Sequence, residues 1–183
     1  TTAALASAGQ CPDLPSFRTD YVKSSFKSSL LLGFWHEQAF IDIAQVGASC
    51  PTLNATMAKD GTTIDMAFKV DYGKLPFTII EEYFATNVTG YFIKQAEMPG
   101  AGFLKLPTTV VDVTLSSDGT QYETMTLYSC TTKLGLVVPE LIFASRQRDF
   151  ASADLAKLED TARTQGVKWE ESSLKSINWT ACK

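Results

Sequence analysis

Between Gly33 and Ser145 the chain alternates apolar and polar positions with a period of two. In Thr63-Ile64-Asp65-Met66-Ala67-Phe68-Lys69-Val70, the residues Ile64, Met66, Phe68 and Val70 share one face, and Asp65 and Lys69 the other. That is the pattern of a half-buried strand. Glu123, Met125 and Leu127 alternate in the same way with Tyr122, Thr124, Thr126 and Tyr128. Breaks at Gly47, Asp60-Gly61, Tyr72-Gly73, Gly90, Pro99-Gly100-Ala101-Gly102, Asp118-Gly119 and Gly135 divide the stretch into β-branched and aromatic runs of strand length. Asp60-Gly61 reads as a tight hairpin turn. One later segment, residues 152–165, has helical spacing. Ser152 is placed as its N-cap, Asp154 lies in its first turn, Leu155, Leu158 and Ala162 share a face, and Gly166 ends it. A short amphipathic stretch, residues 20–32, precedes Gly33. A run of strands followed by one helix predicts an all-β antiparallel barrel or sandwich in a single domain, 1–183.

Composition narrows the function. The 183 residues are 45% hydrophobic, without an apolar run long enough to span a membrane. Sixteen basic residues against twenty acidic ones give a net charge of −4, and no block of Lys or Arg is present. Nucleic acid and anionic membrane surfaces are therefore poor partners. The single histidine, His36, weakens any His-rich metal site or histidine-driven hydrolase, and no metal ligand set is assigned. Ser129 sits beside a cysteine in a strand rather than in a nucleophile elbow, and there is no Gly-rich phosphate loop. No catalytic residue is assigned. The acidic pairs Glu81-Glu82, Glu159-Asp160 and Glu170-Glu171 read as solvated faces.

The four cysteines, Cys11, Cys50, Cys130 and Cys182, are even in number and far apart. They read as two long-range disulfides, for which three connectivities are open. The only three asparagines, Asn54, Asn87 and Asn178, all stand in N-x-[ST] form. Ser and Thr fill 36 of 183 positions, so chance alone seldom places all three. Both features point to a glycosylated protein of the secretory route. Residues 1–10, small and uncharged, are what a mature N-terminus looks like after cleavage of a leader. Another oxidising lumen, such as that of a thylakoid, is the alternative location.

Three stretches now resemble the lipocalin family, in the branch of apolipoprotein D, the crustacyanins and the bilin-binding proteins. Gly33-Phe34-Trp35 opens the first strand after a short helical stretch. Leu127-Tyr128-Ser129-Cys130 matches the family's Y-S-C in the seventh strand. Ile142-Phe143-Ala144-Ser145-Arg146 ends the eighth strand just before the helix. The resemblance spans nearly the whole chain and implies an eight-stranded antiparallel up-and-down β-barrel with one C-terminal α-helix. It divides the chain into an opening segment 1–32, a barrel 33–146, a helix 152–165 and a tail 166–183. It also implies the pairings Cys11–Cys130 and Cys50–Cys182, and a barrel end closed by Gly33, Trp35 and Arg146. Three departures stand out. The family's usual aromatic after the tryptophan is His36 here. The family's T-D-Y turn is replaced by Ser117-Asp118-Gly119-Thr120, and one strand-like run too many lies between Gly73 and Thr109. Residues 88–98 are accordingly expected as an elaborated loop or extended hairpin.

On this reading Cys130 faces outward to reach Cys11, so alternation turns Met125, Leu127 and Ser129 inward. The same parity sends Glu37 and Ala39 inward from Trp35 and turns His36 outward. The candidate cavity lining is Glu37, Ala39, Ile64, Met66, Phe68, Val70, Met125, Leu127, Ile142 and Ala144. Ordinary core packing is the competing reading for each. Glu37, a carboxylate in an apolar cup, is expected to be satisfied by backbone donors, Arg146 or a lysine. The resemblance implies carriage of a small hydrophobic molecule: a carotenoid, tetrapyrrole, retinoid, sterol or fatty acid, with a bound pigment or lipid as the only cofactor. Two alternatives remain: a filled barrel serving as a structural subunit of a larger assembly, and an isomerase or de-epoxidase of lipocalin type.

Overall fold

Eight strands carry the alternation into one closed wall. In a computed structural model that describes residues 9–98, 102–133 and 136–182, they are β1 (Gly33–Ile41), β2 (Ser49–Met57), β3 (Ile64–Tyr72), β4 (Leu75–Ala85), β5 (Tyr91–Met98), β6 (Gly102–Leu115), β7 (Tyr122–Lys133) and β8 (Leu136–Ser145). Each pairs antiparallel with the next. β1 pairs with both β8 and β2, which closes the barrel and excludes a sandwich. Closure leaves few backbone groups as a template for aggregation. β1 meets β2 only through residues 33–36. Beyond that point the short β9 (Lys175–Ser176) takes over its free edge, against Ala39 and Phe40.

Of the two expectations for 88–98 the elaborated loop is corrected: β5 pairs antiparallel with β4, as a hairpin requires, and is an ordinary wall strand. What precedes it is a compact turn, in which Thr86 Oγ1 accepts from the Val88 N–H (3.1 Å) and donates to the Tyr91 carbonyl (2.8 Å). Gly90 completes the turn at φ +71°, and a Cβ there would stand 2.5 Å from Val22 Cγ1. Only glycine fits both constraints. The Asp60-Gly61 turn is longer than a two-residue hairpin. It spans the bond from Ala58 N–H to the Thr63 carbonyl (2.9 Å), with the Asp60 carboxylate accepting from both the Thr62 and Thr63 N–H groups.

Ahead of β1 lies α1 (Asp20–Ser25), whose Val22 joins the interior cluster, and outside the wall lies α2 (Ser152–Thr164). Ala151, not Ser152, is the N-cap of α2. Its carbonyl accepts from the Asp154 and Leu155 N–H groups, and no side chain caps the helix. Helical spacing brings Leu158 and Ala162 onto the barrel's outer surface with Val111, Tyr128, Leu141 and Phe143. A separate apolar cluster fills the interior around Trp35, Leu53, Met66, Tyr122 and Met125. The disulfides are Cys11–Cys130 and Cys50–Cys182. Among the described residues no helix is long and apolar enough to cross a membrane. Residues 1–8 lie outside the described residues, so the reading of a processed N-terminus rests on sequence alone.

Each disulfide ties a chain end to the barrel across more than a hundred residues, separations of 119 and 132. In the chain-entropy account each contributes about 3–5 kcal/mol. Full reduction should lower Tm by well over ten degrees in calorimetry. An unchanged melting curve with all four thiols titratable would contradict this.

Candidate functional site

One end of the barrel is sealed by a cation on an indole. The Arg146 guanidinium lies 3.7 Å from the centre of the Trp35 ring, and Trp35 is fully buried. The same guanidinium donates to five carbonyls: Tyr122 and Phe34 at 2.9 Å, and Leu32, Leu31 and Leu30 at 2.8, 3.3 and 3.4 Å. Trp35 Nε1 donates to the Leu31 carbonyl at 2.8 Å. The floor is thus strapped to the segment before β1. Burial lowers the Arg146 pKa to about 10, which leaves it cationic at neutral pH. Gly33, at φ +101°, lies so close beneath that a Cβ would stand 3.1 Å from Arg146 Nη1. His36 turns outward and is covered by Phe34 and Trp179.

The opposite end is open and holds a cavity of about 300 Å³. Its wall comes from Phe68 and Tyr72 of β3, Phe77 and Ile79 of β4, Ala96 of β5, Leu104 and Leu106 of β6, and Val138 and Pro139 of β8. Asp42, Ile43 and Ala44, in the turn after β1, overhang it. Most of this surface is apolar.

Of the sequence-predicted lining, only Phe68 borders this space. Ile64, Met66, Val70, Met125, Leu127, Ile142 and Ala144 do face the interior. All but Val70 pack against one another in the lower half around Trp35 and Tyr122; Val70 joins the same buried cluster from between Phe68 and Tyr72 of β3, which line the cavity. Ala39 is a correction of direction. The pairs Glu37↔Ala144 and Ala39↔Phe143 leave Gln38 unmatched, so a bulge reverses the parity of β1. Ala39 consequently packs outside with Phe143 and Ala162, while Phe40 turns in. Period-two counting from Trp35 cannot detect an inserted residue.

Glu37 is completely buried, but its partner is none of those expected. Its Oε2 accepts from Gln45 Nε2 at 3.0 Å, while Glu37 Oε1 and Gln45 Oε1 have no partner. Burial pushes its pKa well above the ordinary value. As a neutral acid it gains the donor that a carboxylate lacks. Gln45 belongs to the same turn that overhangs the cavity, so the acid pins the rim. The C-terminal tail holds the other side: Trp179 Nε1 donates to the Glu37 carbonyl (3.1 Å) and Lys175 Nζ to the Ala48 carbonyl (2.9 Å).

Sequence reasoning missed an ionic cluster in the cavity wall. Lys94, only 2% exposed, lies 2.5 Å from Glu140 and 3.2 Å from Glu81. The Tyr83 hydroxyl donates to Glu81 at 3.2 Å. The reading of Glu81-Glu82 as a solvated face is therefore corrected for Glu81: neighbours in a strand point oppositely, and Glu81 is the inward one. A signal was present. Lys94 shares parity with buried Phe92 and Ala96, and a lysine at such a position needs a carboxylate partner.

An eight-stranded closed barrel, a tryptophan–arginine floor and a helix on the outer wall define the lipocalin fold. Solved structures with this architecture include insecticyanin from the tobacco hornworm Manduca sexta, at 14% identity and a TM-score of 0.68, covering 93% of this chain and 86% of that one. Apocrustacyanin C1 is similar at 12% identity and a TM-score of 0.66, covering 93% and 88%. H1 crustacyanin from the lobster Homarus americanus matches at 13% identity and a TM-score of 0.64, covering 86% and 81%. No protein-family model and no curated protein matches the sequence.

Two substitutions test the site's frame. Trp35→Ala should cost about 3–5 kcal/mol in denaturant unfolding, as for a buried aromatic; a loss below about 1 kcal/mol would contradict its place in the floor. For Glu37, the folded protein holds a proton that the unfolded chain releases. Its stabilising contribution is complete below the ordinary carboxylate range and is lost as pH rises toward the raised folded value. Glu37→Gln should therefore flatten the fall of Tm with rising pH and match or exceed the wild type at about pH 8. A variant far less stable there would contradict a neutral Glu37.

Proposed function

We propose that the protein binds and carries a small hydrophobic molecule in the barrel cavity. One observation carries this reading: an apolar space of about 300 Å³ stands open at one end of a barrel sealed at the other. A packed structural barrel would have no use for it. Ligand pockets commonly span about 300–1,000 Å³, so the space suits the smaller members of the expected ligand classes, such as retinoids and short lipids, better than a carotenoid. Apolar guest surface leaves water at about 25 cal/mol per Å². A preformed wall keeps the ordering cost low.

The solidly packed lower half favours the second reading, a structural subunit, to the extent that half of the barrel is already full. Catalysis through a thiol is disfavoured because all four cysteines are paired. Disulfides belong to oxidising compartments, and Asn54, Asn87 and Asn178 are all exposed, which supports secretion with glycosylation.

Leu106→Trp fills the cavity from its wall. Overpacking costs about 1–3 kcal/mol, so the variant should stay folded while affinity for a bound lipid or polyene falls at least tenfold in calorimetric titration. Gently purified wild type should carry an added small mass in native mass spectrometry and the variant should not. Wild-type protein that binds no apolar probe would overturn the carrier reading.

A further inference from the structure

The cavity wall carries more carboxylate than its own cation can balance. Glu81, Glu140 and Asp42 border the space, and among the described residues Lys94 is the only basic side chain that does. That single ammonium is already bracketed, by Glu140 at 2.5 Å and Glu81 at 3.2 Å. Glu81 has a second donor in the Tyr83 hydroxyl. Glu140, which borders the space, takes only the bond from Lys94 on Oε1 among the described residues, and its Oε2 accepts from no protein donor there.

An incoming carboxylate would find no free cation here and would add a fourth carboxylate to a wall that is already largely buried and acidic. An incoming ammonium would meet an unmatched acceptor and lower the wall's net charge. Resting on the carrier reading above, we propose that the cavity selects amphiphilic amines: an apolar body inserted among Phe68, Ile79 and Leu106, with a protonated nitrogen on Glu140. Fatty-acid-type anions are discriminated against.

In the empty protein a proton can do what the guest's ammonium does in the complex. Burial pushes the Glu140 pKa up to about 7, with Lys94 of β5 opposing the shift and Asp42 and Glu81 adding to it. Tyr83 of β4 and Glu37 of β1 complete the titratable groups around it, and Glu37 is held neutral by burial. Amine binding and protonation therefore compete, and amine affinity weakens as pH falls through this range.

The test compares decylamine, 1-decanol and decanoate by calorimetric titration of the intact, disulfide-bonded protein at about pH 8, where amine and acid carry full charge. Decylamine should bind at least about tenfold tighter than decanoate, and Glu140→Gln should largely abolish the difference. Should that variant fold poorly, the wild type decides. Lowering the pH to about 6, where both probes keep their charge, should weaken decylamine severalfold and leave decanoate no weaker. Decanoate binding as tightly as decylamine, or a pH-independent preference, would overturn the charge selection and leave the carrier reading standing. If none of the three binds to wild type, the carrier reading falls and this proposal falls with it.

Discussion

The contact between Arg146 and Trp35 is the constraint on which the rest of the barrel depends. A guanidinium on an indole contributes about 0.5–2 kcal/mol by itself, a small part of what this residue does. Its planar fork also satisfies carbonyls from the segment before β1, from β1 and from β7. One side chain thereby replaces water for several buried acceptors at the place where the wall narrows. Gly33 takes a positive φ that favours glycine, and a Cβ there would stand only 3.1 Å from Arg146 Nη1. Sealing one end in this way lets the other stay open, because stability comes from the floor and the packed lower half.

The open end follows a different logic. β1 and β2 separate after residue 36, and without a substitute the wall would gape beside the cavity. The tail supplies one: β9 on the edge of β1, Trp179 on the Glu37 carbonyl and Cys182 bonded to Cys50. The rim turn is then pinned from inside by the neutral Glu37 through Gln45. A buried acid is a costly way to hold a turn, and an apolar pair would cost less. What the acid–amide contact adds is direction, since it fixes the turn over the cavity where an apolar contact would let it slide.

Much of this was legible in the sequence because it rests on local rules. Strand parity placed Met66, Met125, Leu127 and Ile142 in the interior, and the resemblance at Gly33, Trp35, Cys130 and Arg146 supplied closure and the cysteine pairing. What failed has a common cause. Parity says which face a residue takes but not how high in the barrel it sits, and height separates packed core from cavity. The bulge at Gln38 defeated parity itself for Ala39. The partners of Glu37 and Glu81 are set by contacts across the barrel, from Gln45 and Lys94, that no local pattern encodes.

The ionic cluster bears on why the upper half is hollow at all. The floor could be extended by apolar side chains at the heights of Ile79 and Leu106, as it is lower down by Leu53 and Val110. Instead three ionisable groups are set into the wall there, at a desolvation cost that mutual pairing only partly offsets. Their unequal charges mean that pairing within the wall cannot satisfy them all. A barrel selected only for stability would replace Lys94, Glu81 and Glu140 with leucines and close the space. Retaining an unbalanced cluster beside an apolar void makes physical sense if a third partner completes it. On the carrier reading proposed above, such a partner would combine an oily body with a donor, the two properties that the void and the cluster separately offer.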